Sequence, residues 1–442
     1  MLYGVILAGG MGKRLWPESN RSTPKPFLCR RKGLSLLEET IERTVGIIPP
    51  HQILISTSQI FAGPISRFVR YQGIEILSEP VSRNTAAAIA LAALHIEAQN
   101  PEAIMAVFPS DAFIGNPQEL HTMINAAVRL IEEQEDRLIT IGIHPKRPET
   151  GYGYIKAVTP LETRTKTDDL IFPPLKSDFF CEKPDLASAK EYLLDGNYYW
   201  NTGIFIWKAA NILDLISRYL PEMAPLLSRR RSPSHNLPEN FRQLFDSLTS
   251  IPIDKAVLEK VSLDKKSEIV LLPAPFAWSD LGTFEELTVL GNYGLDSFGN
   301  RAVGAKTTAV DSTNNIVRIS LSHPIKVALA GLKDLLIVLH HGTLLIVPQK
   351  RAKLIQELSE CQSEITSGNE VFPSSIRLRS INASNNVFFQ KTSFDRESAF
   401  TVALGDVSNL LAILDDEHLF VLAREQEHLL PELKKQMVSS PD

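Results

Sequence analysis

Residues able to handle phosphate gather at the start of the chain. An apolar run, residues 5–8, empties into Gly9-Gly10-Met11-Gly12 and then into two cations, Lys13 and Arg14; a third, Lys25, sits between Pro24 and Pro26. Glycines let a backbone approach a polyphosphate closely and aim N–H groups at it, while cations neutralise its charge. A Walker loop does not fit, because position 7 is Leu and Arg14 stands where Ser or Thr would hold magnesium. The dinucleotide fingerprint fails as well, since Gly10-x-Gly12 is not followed by x-x-Gly. A second chemical signal is Asp111, which closes the apolar run 104–110. Ligands of open α/β sheets sit outside the carboxyl ends of strands, although an Asp there also reads as a cap or turn residue. No Ser/His/Asp or Cys/His constellation supplies a covalent nucleophile. The chemistry indicated is positioning and charge neutralisation on phosphate.

The elements that must hold these residues alternate between strand and helix, as in an α/β fold with a mostly parallel central sheet. Residues 35–48 carry apolar side chains at helical spacing behind Ser35, and residues 53–56 read as a strand. Asn84 or Thr85 caps an alanine-rich helix running to about residue 100. The free N–H groups of its first turn could hold an anion or a base edge. A helix over 118–134, a strand over 138–143 and a helix over 211–219 follow, with a polar, proline-containing surface excursion at 158–178.

The 442 residues suffice for two or three domains, and 44% hydrophobic with 22% charged residues is an ordinary globular composition. A net charge of −5 argues against a nucleic-acid polymer as partner. No stretch approaches the length of a membrane span, and the N-terminal apolar run lacks a basic lead. Cys29, Cys181 and Cys361, odd in number and far apart, fit a reducing compartment, so a cytoplasmic location is expected.

After about residue 290 helical periodicity gives way to short β-rich runs, and these recur. Residues 327–338 align with 402–413, and 354–358 with 429–433, at one offset of 75; Asn314-Asn315 aligns with Asn385-Asn386 at 71, implying a four-residue insertion. The expected organisation is a domain over 1–290 and two tandem β-rich copies over 291–360 and 361–442.

Gly9-Gly10-x-Gly12-x-Arg14-Leu15-Trp16-Pro17, then Pro24-Lys25-x-Phe27, closely resembles the opening of sugar-nucleotide pyrophosphorylases, and within them the mannose-1-phosphate guanylyltransferase branch. Further matches are Glu79-Pro80-x-x-Arg83-Asn84-Thr85-Ala86, Ser110-Asp111, the block 142–155, Phe180-x-Glu182-Lys183-Pro184, Trp200-Asn201-Thr202-Gly203, Ile253-Asp254-x-Ala256-Val257 and Trp278-Ser279-Asp280-x-Gly282. The resemblance implies a Rossmann-like, GT-A type nucleotidyltransferase domain, and makes the β-rich copies similar to the left-handed β-helix that ends these enzymes. It implies a nucleotide site of Leu7, Ala8, Gly9, Gly10, Gly12, Lys13, Glu79, Asn84 and Thr85, with Arg14 and Lys25 on the triphosphate. Lys183 would meet the incoming phosphate. Gly153, Tyr152, Glu182 and Asn201 would meet the sugar, Tyr152 through its flat face, and Asp111 and Asp280 would hold Mg²⁺. The implied partners are GTP and mannose 1-phosphate, giving GDP-mannose and pyrophosphate by in-line attack on the α-phosphorus; the β-rich region offers a surface for homo-oligomers. Ala112 for the family's His, Pro26 for its Gln and Thr202 for its Ser are departures. No cluster of His and Glu follows residue 361, so isomerase activity is not expected. Two other readings are a pyrophosphorylase for a different NTP and sugar phosphate, and a regulatory or scaffold homologue without turnover.

Overall fold

The computed structural model describes residues 1–20, 22–31, 33–228, 241–264, 267–290, 294–321, 323–360, 376–384, 386–391, 400–415 and 417–439. Cys361 and the expected boundary at 360/361 border or fall among the residues outside this set. The chain forms two compact units, Met1–Gly9 with Leu34–Asp280, and Gly10–Gly33 with Leu281–Asp442. Residues 10–33 and 281–290, expected with the first domain, thus belong to the unit of the C-terminal strands.

The first unit is organised on a nine-stranded sheet. In chain order its strands are β1 (Leu2–Leu7), β2 (Ile53–Ser58), β3 (Glu75–Glu79), β4 (Ile104–Pro109), β5 (Leu138–Ile143), β6 (Tyr154–Pro160), β7 (Leu175–Cys181), β8 (Tyr198–Lys208) and β9 (Ile269–Pro273). Their spatial order is β3-β2-β1-β4-β8-β5-β9-β7-β6. The half containing β3, β2, β1 and β4 is wholly parallel; β8 runs antiparallel between β4 and β5, and β7 and β6 extend the far edge antiparallel. The parallel strands read as near-continuous apolar runs because helices bury both their faces. Helix α1 (Leu36–Val45) opens with a reciprocal cap between Ser35 and Glu38, and α2 (Asn84–Gln99) buries every alanine from Ala86 to Ala93. Small side chains let α2 lie close on the sheet and on a further helix, α3 (Ala209–Tyr219).

The second unit carries β10 (Arg301–Val303), β11 (Ala305–Val310), β12 (Ile316–Ser320), β13 (Ile325–Ala330), β14 (Leu335–His340) and β15 (Thr343–Pro348), then helix α4 (Ala352–Glu360). After these come β16 (Ile376–Ile381), β17 (Val387–Lys391), β18 (Phe400–Gly405), β19 (Leu410–Asp415), β20 (His418–Ala423) and helix α5 (Leu430–Ser439). One sheet is ordered β10-β12-β14-β15-β18-β16, the other β11-β13-β20-β19-β17. Successive strands from β10 to β14 alternate between the sheets and pair in parallel within each, and the hairpins β14–β15 and β19–β20 are antiparallel.

The contacts of residues 305–348 recur in 376–423. Parallel pairing of β13 with β20 aligns Lys326 with His418, and that of β15 with β18 aligns Thr343 with Thr401, so each set of strands pairs with the other. Buried Asn315 donates to the Leu332 carbonyl and accepts from the Leu335 amide; buried Asn386 does the same with Val407 and Leu410. Asp334 and Asn409 occupy the same left-handed turn position, each at φ 56°. Helix α4 lies on β16 and β18, while α5 lies on β11 and β13.

Candidate active site

The carboxyl ends of the four parallel strands form the floor of the site in the first unit. Leu7 pairs with Ser56 and with Pro109, and Glu79 pairs with Ser58, so residues 8–9, 79 and 110–111 leave the sheet along one edge. The polar backbone there is accounted for. The Ala8 amide donates to the Ser56 carbonyl, the Ala8 carbonyl accepts from Thr57 Oγ1 at 2.8 Å, and the Leu7 carbonyl accepts from the Ser110 amide. A Cβ added at Gly9 would meet nothing within 4 Å, so this position leaves open space above the strand end.

Asp111 is held from both sides by α1. Thr40 Oγ1 donates to the Ser110 carbonyl at 3.1 Å, and the buried Arg43 guanidinium donates to the Ala112 carbonyl at 3.0 Å and to Thr40. The carbonyls before and after the acid are thereby fixed, and Arg43, unremarked in the sequence, steadies the segment where the family's His is replaced by Ala112. Asp280 arrives by a short antiparallel ribbon in which Phe113–Ile114 pairs with Trp278–Ser279. Ser279 faces Phe113, so continuing that register by one residue sets Asp280 opposite Ala112, the neighbour of Asp111. The Gly115 amide closes the ribbon on the Ala277 carbonyl at 2.7 Å.

Tyr152 donates its hydroxyl to Asp280 Oδ1 at 2.8 Å. Its ring is buried edge-on against Trp200 and Trp278, 5.2 Å from each centroid. Where the sequence reading gives this ring a flat face for a sugar, the structure gives it two aromatic neighbours and a carboxylate to orient.

Glu79 is 5% exposed, and burial pushes its carboxyl up to about 7 against the weaker pull of the Arg83 amide and Ser56 hydroxyl. Oε1 accepts from Ser56 at a long 3.4 Å, and buried Oε2 meets no donor at hydrogen-bond geometry. Asn84, in the left-handed region at φ 66°, accepts the Thr85 amide on its own side chain. The first turn of α2 is partly occupied by the protein itself, because Thr85 Oγ1 accepts from the Ile253 amide and the Ala86 amide donates to the Ile251 carbonyl.

A second cluster lies where β6, β7 and β8 meet. Gly153 has no room for a side chain: a Cβ would sit 2.8 Å from Glu182 Oε2 and 3.4 Å from Asn201. Lys183, with φ 51°, pairs with Glu182 at 3.0 Å and is mostly exposed. The Asn201 amide donates to Asp254 Oδ1 at 2.6 Å, and its oxygen accepts from Thr140 and from the Gly203 amide. Burial first, and the nearby Glu182 charge second, push Asp254 up to about 7. Asp254 opens a wide π-helical turn, Asp254–Leu258, of the kind that often marks functional sites. It stands in the matched block 253–257, yet the sequence singled out no role for it; only the fold brings it to Asn201. Glu259 is a further addition, accepting the Glu182 amide at 2.7 Å.

The remaining predicted residues lie in the second unit. Gly12 adopts φ 68°, and a Cβ there would strike Lys25 Cβ at 2.5 Å, so the loop closes only with glycine. Ser19 Oγ donates to the carbonyls of Met11 and Gly12. Lys13, Arg14 and Leu15 form a short 3₁₀ turn in which both cations are exposed, whereas Lys25 is 6% exposed at the start of a second such turn. Lys13 pairs with Glu360 at 2.6 Å.

Residues 3–293 match the nucleotidyl transferase family model. The chain is 30% identical to mannose-1-phosphate guanylyltransferase of Escherichia coli (strain K12), over 81% of this chain and 73% of that protein. It is 32% identical to the mannose-1-phosphate guanylyltransferase of Klebsiella pneumoniae, over 81% and 74%. Among solved structures, mannose-1-phosphate geranyltransferase from Thermus thermophilus superposes with a TM-score of 0.68 at 29% identity, covering 81% of this chain and 98% of that one. The chain therefore belongs to the nucleotidyl transferase family. Within that family it is a sugar-nucleotide pyrophosphorylase, as the similarity to the guanylyltransferases supports. Among the described residues, no helix is long and apolar enough to cross a membrane.

Proposed function

We propose that this pyrophosphorylase joins GTP to mannose 1-phosphate, releasing GDP-mannose and pyrophosphate. The observation that carries the reading is the ribbon of Phe113–Ile114 with Trp278–Ser279, which ties the segment that ends in Asp280 to the one that follows Asp111 at the carboxyl edge of the sheet. Two carboxylates from distant parts of the chain, with no larger cluster of metal-binding side chains among the described residues, suit a hard cation that draws its other ligands from phosphates and water. Mg²⁺ held by Asp111 and Asp280 would neutralise charge on the triphosphate. The phosphate oxygen of the sugar phosphate is already anionic, so the attack on the α-phosphorus needs alignment and charge neutralisation rather than a general base. Arg14 and Lys25 take the charge of the triphosphate, and Lys183 that of the incoming phosphate. Glu182 accepts from sugar hydroxyls beside the close backbone of Gly153. Asn201, whose amide is committed to Asp254, acts on the sugar through that acid.

Guanine is supported by Glu79. A buried carboxylate with an unmatched oxygen suits the N1–H and N2–H donors of guanine, a donor edge that no other common base presents. The recurring contacts of the second unit support a further reading, that residues 291–360 and 361–442 are two copies of one β-helix-like module.

Pyrophosphate release with each of four NTPs against mannose and glucose 1-phosphates, in Mg²⁺, tests the assignment. The expected result is the highest kcat/KM for GTP with mannose 1-phosphate, and a smaller advantage of GTP over the other NTPs in Glu79→Gln. Preference for another pair would replace the substrate assignment, and silence with every pair would favour a scaffold.

A further inference from the structure

Within the second unit the loop 10–20 is braced by distant segments, and part of the brace comes from residues after 375. Glu18 is buried and gripped by Arg318 of β12 through two parallel hydrogen bonds of 2.8 Å. Ser19, its neighbour, holds the carbonyls of Met11 and Gly12. On the other side of the loop, α4 packs against the turn Lys13–Leu15 and pairs Glu360 with Lys13. That helix rests in turn on β16 and β18.

Arg379 of β16 ties these parts together. Its guanidinium donates to the Leu358 and Ser359 carbonyls, both at 3.1 Å, where the end of α4 leaves acceptors unmatched. It also lies over the Trp16 ring, 5.3 Å from the centroid. One planar cation thus caps the helix that carries Glu360 and covers the aromatic residue two positions beyond Arg14. A cation over an indole face and charge-assisted bonds to helix carbonyls are both favourable, and guanidinium can make them together.

We propose that Arg379 is a positioning residue for the phosphate-handling loop, through which the strands after residue 375 act on nucleotide binding. The proposal rests on the reading of residues 9–25 as the nucleotide loop. It assigns the C-terminal strands a part in NTP binding rather than in fold closure alone.

The test compares full-length Arg379→Ala and Arg379→Lys with the unaltered chain, each checked by circular dichroism. Without ligand, hydrogen exchange at amides 11–19 is expected to accelerate in Arg379→Ala while amides of β1 and β4 keep their protection. In the pyrophosphate assay the KM for GTP is expected to rise about tenfold. The KM for mannose 1-phosphate is expected to stay within about twofold, with Arg379→Lys recovering much of the GTP effect through its retained charge. Unchanged exchange in the loop would overturn the proposal. So would an equal loss toward both substrates, with a matching fall in melting temperature. If Arg379→Ala fails to fold, Arg379→Gln decides by the same exchange measurement, because it keeps a hydrogen-bonding head of similar reach but loses the charge that lies over Trp16. If the unaltered protein ignores GTP yet the loop loosens as expected, the substrate assignment fails and the positioning role stands.

Discussion

Two groups of acids flank the carboxyl edge of the large sheet, and they are built on opposite principles. Asp111 and Asp280 are half-buried, and neutral or backbone-directed donors align them: Thr40 and Arg43 through adjoining carbonyls, Tyr152 through its hydroxyl. Asp254 is buried beside Glu182 and bonded to Asn201, and its proton is held to about 7. An acid that must meet a cation is best kept charged and rigid, with lone pairs facing outward. An acid meant for hydroxyls can be buried deeply, because a protonated or shared carboxyl exchanges hydrogen bonds without carrying a full charge into low dielectric. In the proposed reaction this difference would separate the reacting phosphates from the sugar ring by electrostatics as well as by position.

The contrast is most severely tested by removing charge from the first group. Asp280→Asn keeps the size and the Tyr152 contact but loses the negative charge, and kcat is expected to fall by about 10²–10³ if the charge acts mainly in the transition state. Circular dichroism should remain native; a variant with normal turnover would remove the cation role from this corner.

Tyr152→Phe probes alignment alone. Loss of one hydrogen bond to a charged group is worth about 1.5–3 kcal/mol, so a drop in kcat of roughly 10- to 100-fold is the upper range, with little change in melting temperature. An effect confined to the KM for the sugar phosphate would instead favour the flat-face role expected from the sequence.

The effect of pH is read on stability and leaves turnover aside. Asp254 and Glu79 have folded-state pKa values of about 7, above their ordinary values of 3.8 and 4.5. Between these limits the native state binds more protons than the unfolded chain, so stability falls as pH rises from about 4 to about 7 and levels off above that. Asp254→Asn should flatten this slope, and Asp280→Asn should leave it unaltered. Melting temperature followed across that range distinguishes the two groups.

Much of this was legible in order along the chain, because it rests on local signals. The apolar strands ending in Ala8 and Asp111, the Ser35 cap and the alanine-rich helix each follow from residues a few positions apart. Asn315 and Asn386, aligned in the sequence at an offset of 71, make matching hydrogen bonds in the structure. What escaped depends on distant segments meeting. Asp254 looks like any acid at the start of a helical turn until β8 brings Asn201 to it, and Arg43 reads as an ordinary helix cation until its guanidinium is seen at the Ala112 carbonyl. The membership of residues 10–33 was equally hidden, since nothing in their own sequence announces that their contacts lie with strands about three hundred residues onward.

The exchange of strands in the second unit bears on how the protein is made. β13 finds its neighbour β20, and β15 its neighbour β18, only after the ribosome has added most of the chain. Synthesis runs from the N-terminus, and long-range pairings form late. The glycine–lysine–arginine segment is therefore made long before the strands and helix that hold it, about three hundred residues onward. An mRNA cut short before Arg379 would yield a chain that keeps the partners of Glu18 and Lys13 but lacks the cation over Trp16.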